Sequence, residues 1–141
     1  MSESLNPIII EIETPASTAE AWMALTDPRR IVEWLTDASQ LGAVGEPYRL
    51  DFGDDSVVEG SIQEVDPGRR FSYTWSWTDA SPAEQTLVTW SVEPLANGGS
   101  RITLVHDGWA EAGADVSTRG DHEGYWNGYL EDLAEILAEG E

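Results

Sequence analysis

The chain contains no cysteine and no lysine. The first absence excludes disulfides, zinc–thiolate sites, iron–sulfur clusters and cysteine nucleophiles, and it fits a reducing compartment. The second leaves 7 arginines as the only strongly basic side chains against 27 acidic residues, for a net charge of −20. A surface of that sign repels phosphate backbones and anionic lipid headgroups, because binding to either depends on Lys or Arg neutralising phosphate. Nucleic acid is therefore not an expected partner. The simplest reading of the charge is a solubilising surface; an acidic face aimed at a basic partner is the functional alternative. Long apolar runs are missing too. Nothing approaches the roughly 20 residues of a membrane helix, and MSESLNP lacks the basic region and apolar stretch of a secretory leader. The expectation is a cytoplasmic protein with no membrane insertion.

Familiar catalytic patterns are absent as well. There is no GxSxG elbow, no phosphate-binding glycine loop and no dinucleotide fingerprint. The two histidines, His106 and His122, do not form a His-x-x-x-His or comparable spacing, so neither a metal nor another cofactor is expected. Asp54 and Asp55 sit in a turn and read as solvated. In a chain this acidic, neighbouring carboxylates carry no catalytic weight unless something buries them.

What is present is a clear alternation of periods. At 141 residues, with no repeat and no long Pro/Gly linker, the chain reads as one domain spanning residues 1–141. IIIEIE, residues 8–13, places Ile8, Ile10 and Ile12 on one face of a strand and Glu11 and Glu13 on the other. STAEAWMALTDP begins with a capping box, Ser17 and Glu20, and stops before Pro28 because the residue preceding proline avoids helical geometry. PRRIVEWL reads as a second short helix presenting Ile31, Trp34 and Leu35. From residue 47 the period becomes two. Tyr48, Leu50 and Phe52 share a face, GDDS is a hairpin turn, and Val58, Gly60 and Ile62 follow, with Val65 off parity and hence a bulge near Glu64. The remaining strands carry Phe71, Tyr73, Trp75 and Trp77, then Val88, Trp90 and Val92, then Ile102, Leu104 and His106. Short turns between them require an antiparallel sheet. Residues 118–138 return to the helical period, with His122, Trp126, Tyr129, Leu130, Leu133 and Leu137 on one stripe.

Four segments in this order, TPASTAEAWMALTDPRRIVEWL, GSIQEVDPGRRFSYTW, ITLVHDGW and GYWNGYLEDL, carry a resemblance over nearly the whole chain. The sequence resembles bacterial proteins related to the heat-shock-protein-90 ATPase activator, within the helix-grip superfamily. That superfamily also includes steroidogenic-acute-regulatory-type (START) lipid-transfer domains, birch-pollen-allergen-like proteins and polyketide cyclases. The resemblance implies an α+β fold: a curved antiparallel sheet of about six strands around a long C-terminal helix, with two short helices after the first strand. It often implies an apolar cavity between sheet and helix, but no shared catalytic set.

Seven tryptophans fall among thirteen aromatic residues. Strand and helix parity sends Trp34, Phe52, Tyr73, Trp75, Trp90, His106, Trp126 and Tyr129 to the side that the last helix covers. Large rings are hard to interdigitate without voids. The expectation is that these eight line one ligand-binding cavity of roughly a few hundred Å³, that Gly60, Gly124 and Gly128 make room there, and that Trp77 sits at its mouth or outside. His106 reads either as a ligand-orienting or acid–base group or as a core histidine satisfied by a neighbour; His122 reads as a surface residue. The expected role is binding a small apolar or aromatic molecule, lipid-like ligands included. The alternatives are a cyclase or aromatase-like enzyme using His106 or Tyr73, and a stress-response or co-chaperone interaction protein. A homodimer is left open.

Overall fold

The computed structural model describes residues 6–39, 41–53, 56–78, 85–109 and 116–139. Strand β1 (Ile8–Thr14) leads into helix α1 (Thr18–Thr26) and the short α2 (Pro28–Ile31). Six strands follow: β2 (Asp37–Ala38), β3 (Pro47–Asp51), β4 (Val57–Asp66), β5 (Arg70–Trp77), β6 (Thr86–Pro94) and β7 (Ser100–Asp107). The chain ends in α3 (Val116–Glu139), 24 residues long. The sheet order is β1-β7-β6-β5-β4-β3-β2, with every neighbour antiparallel. Its curved face grips α3, whose Trp126, Leu130, Leu133 and Leu137 are all buried. This is the helix-grip architecture, with seven strands rather than six. The additional one, β2, has two residues, too few for an alternating pattern to show.

Local chemistry accounts for the element ends. Ser17 Oγ accepts from the Glu20 amide at 3.2 Å, capping α1. Asp27 has extended backbone, closes α1 and caps α2 by accepting from the Arg29 amide at 3.0 Å. The second helix is shorter than its sequence pattern suggests. Turn hydrogen bonds at 3.2 Å (Trp34 amide to the Ile31 carbonyl) and 2.8 Å (Leu35 amide to the same carbonyl) nevertheless fold Trp34 inward. The bulge expected near Glu64 is a register shift between Ile62 and Glu64. Beyond it Val65, paired with Phe71, is 37% exposed. Asp54 and Asp55, and Asp79 at the end of the FSYTWSWTD stretch, lie outside the described residues.

The three glycines differ from expectation. A Cβ on Gly60 would meet the Thr74 carbonyl oxygen at 2.2 Å, so Gly60 permits close backbone approach between β4 and β5 rather than opening a void. Gly124 and Gly128 face open space on the outer side of α3. Neither makes room between helix and sheet.

Candidate functional site

Strand β5 and helix α3 carry rings on facing surfaces, and the rings divide into a closed core and a pocket. In the core, His106 is 0% exposed on β7. Trp126 on α3 donates its indole N–H to His106 Nδ1 at 2.9 Å, and the other ring nitrogen lies 2.7 Å from Thr86 Oγ1. An indole nitrogen can only donate, so Nδ1 carries the lone pair and Nε2 the proton. His106 therefore donates to Thr86, whose hydroxyl donates in turn to the Trp75 carbonyl at 3.3 Å. Burial, and secondarily the nearby His122, hold the His106 pKa well below the ordinary 6.5. Both nitrogens of this neutral imidazole are engaged. Trp109 completes the enclosure, donating to the His106 carbonyl at 2.8 Å with its ring 4.3 Å from the imidazole.

A second buried set continues beside it. Trp90 donates to the Tyr73 hydroxyl at 3.0 Å, and burial pushes the Tyr73 pKa up, so this hydroxyl stays protonated. Trp34 donates to the Ala24 carbonyl at 2.9 Å and meets Trp90 edge to face at 5.7 Å. Tyr48 donates to the Thr74 carbonyl.

The pocket, about 230 Å³, opens between the β3–β4 turn, the end of β5 and the first half of α3. Phe52, Trp75, Trp77, Tyr125, Trp126 and Tyr129 supply its rings, with His122 among them. His122 is 7% exposed, contrary to its reading as a surface residue, because Trp75, Trp77 and Trp109 pack around it at ring distances of 5.0–6.2 Å. Trp77 donates to His122 Nε2 at 3.0 Å, tying β5 to α3 and identifying Nε2 as the unprotonated nitrogen. Trp75 Nε1 is buried and has no hydrogen-bond partner among the described residues.

Of the eight residues expected around one cavity, Phe52, Trp75, Trp126 and Tyr129 reach this pocket, whereas Trp34, Tyr73, Trp90 and His106 lie in the closed core. Trp77 joins the pocket wall. His122 and Tyr125 in the pocket wall, and Trp109 over the closed core, were not among those eight. His122 shares the helical stripe of Trp126, and that spacing was the available signal. Trp109 falls off strand parity, but Gly108, at φ +90°, ends β7 and turns the ring inward. A second concavity, about 530 Å³, lies between α1–α2 and the β4–β5 hairpin, walled by Trp22, Leu41, Ile62, Val65 and Phe71. It is larger, yet among the described residues it holds no buried polar side chain without a partner.

Residues 15–138 match the family model described as Activator of Hsp90 ATPase homolog 1-like protein. The chain belongs to this family. Its architecture recurs in known structures of the same kind. MLL2253 from Mesorhizobium loti superposes with a TM-score of 0.83 at 24% identity, covering 96% of this chain and 99% of that one. The Aha1 dimer from Colwellia psychrerythraea gives 0.82 at 19%, covering 96% and 98%. DynU16, a protein of the dynemicin biosynthetic locus, gives 0.82 at 25%, covering 96% of this chain and 48% of its own. This Hsp90-activator-like chain thus spans about half the length of DynU16. No curated protein matches it. No described helix is long and apolar enough to cross a membrane.

Proposed function

We propose that the protein binds a small apolar or aromatic molecule in the pocket between β5 and α3. The observation that carries this reading is the pocket's lining: the rings of Phe52, Trp75, Trp77, Trp126 and Tyr129 wall a volume of about 230 Å³. A ligand buried against these rings gains about 25 cal/mol for each Å² of apolar surface removed from water. Small-molecule sites commonly span roughly 300–1,000 Å³, so a volume of about 230 Å³ suits one or two fused rings, or the inserted end of a larger molecule. The similarity to a protein of a biosynthetic locus supports a small-molecule role.

Binding is favoured over catalysis because the two candidate proton donors turn away from the pocket. His106 has both nitrogens engaged in the core, and the Tyr73 hydroxyl is held by Trp90. The titratable imidazole in the pocket wall is His122, 5.5 Å from His106, and it accepts from Trp77. A homodimer is a compatible second reading, favoured by the dimer formed by the Colwellia protein.

The test is a titration with naphthalene and quinoline, nearly equal in size and differing by one ring-nitrogen acceptor. Saturable change in tryptophan emission is expected with both, at similar affinities, because burial against the rings drives each. A flat titration with both overturns the reading.

A further inference from the structure

Five of the pocket rings form a closed cycle. Phe52 meets Trp77 at 5.4 Å, Trp77 meets Trp75 at 5.9 Å, and Trp75 meets Trp126 at 5.2 Å. Trp126 then meets Tyr129 at 6.2 Å, and Tyr129 returns to Phe52 at 6.1 Å. Successive planes are inclined by 46°, 90°, 52°, 71° and 41°. Phe52 also meets Trp75 across the cycle at 6.3 Å, so the five rings pack into one continuous aromatic wall along the pocket. From this cycle and the charge around it we infer, resting on the pocket being a binding site, that its ligand is a small organic cation whose charge is spread over methyl or aryl carbons.

The electrostatics point the same way. Among the described residues, no arginine lines the pocket. All 7 arginines of the chain are already held in ion pairs: Arg29, Arg30, Arg49, Arg69, Arg70, Arg101 and Arg119 each lie within 4.0 Å of a carboxylate. The imidazole in the wall accepts from Trp77 and so is neutral. An anionic ligand would find no counter-charge there, inside a molecule whose net charge is −20. A neutral ligand would gain burial alone. A diffuse cation gains burial, the negative faces of the rings and the long-range field together.

Choline and 3,3-dimethylbutan-1-ol, in which carbon replaces the quaternary nitrogen, test this by isothermal titration calorimetry. Choline is expected to bind about tenfold or more tightly than its neutral isostere. The preference should persist in roughly 1 M salt, where the Debye length is about 3 Å and surface attraction is screened. Trp77→Leu should abolish the preference, and Tyr129→Leu, at a half-exposed position, gives an independent check if the first variant is unstable. Equal binding of the two ligands, loss of the preference in high salt, or no choline binding overturns the cation inference. If quinoline and naphthalene still bind, the pocket itself remains a ligand site; if all four titrations are flat, both readings fall.

Discussion

Trp126 on α3 and His106 on β7 are joined by a hydrogen bond of 2.9 Å from the indole N–H to Nδ1. This single contact fixes the histidine tautomer, directs its other nitrogen to Thr86 and pins the first half of α3 to β7. Trp126 also lines the pocket, so one side chain links the closed core to the candidate site.

Acid should loosen this link. The folded pKa of His106 is depressed, so below the ordinary 6.5 the unfolded chain binds a proton that the folded chain does not. Stability should therefore fall as pH drops below about 6.5, by up to about 1.4 kcal/mol per pH unit, and be insensitive to this group above it. Most carboxylates titrate nearer pH 4, leaving the window from about 5 to 6.5 to histidine. Urea denaturation across that window should give a sloping stability for the parent protein and a flatter one for His106→Gln.

Tyr73→Phe removes the acceptor of the buried Trp90 N–H without changing the ring. A cost of about 1–3 kcal/mol is expected, because the donor is left unsatisfied. In the Trp90→Phe background the same substitution should cost less, since the donor is gone. A double-mutant cycle by denaturant unfolding measures the difference.

The glycines should respond in opposite directions. Gly60→Ala drives a Cβ into the Thr74 carbonyl and should destabilise by roughly 1–3 kcal/mol. Gly124→Ala and Gly128→Ala, in open space on the helix, should each stabilise by about 0.5–1 kcal/mol. Thermal melts of the three variants check the ordering.

The strands were legible because one face of each is buried and the other is not. Tyr73 and Trp75 are buried as the alternation requires, although Ser72 between Phe71 and Tyr73 is buried too, and the break in parity at Val65 appears as a register shift. What parity could not tell was depth. Trp75 and Trp90 both point inward, yet one borders a pocket beside Phe52 and Tyr129 and the other is enclosed between Trp34 and Trp126. Trp109 escaped because a left-handed glycine, not strand geometry, aims it. His122 was misjudged because its position near the helix start suggested exposure, whereas rings from β5 and the segment after β7 cover it. Gly124 and Gly128 were placed inward although their helical phase sets them opposite the buried stripe.

The division of the rings into a closed core and a ligand pocket is tested most directly by the indole N–H resonances of the 7 tryptophans in ¹⁵N-labelled protein, followed during titration with quinoline. Resonances of Trp75, Trp77 and Trp126 should move together and saturably, while Trp22, Trp34 and Trp90 stay in place. Uniform small shifts across all of them, or movement of Trp34 and Trp90 with Trp75 unchanged, would contradict the assignment.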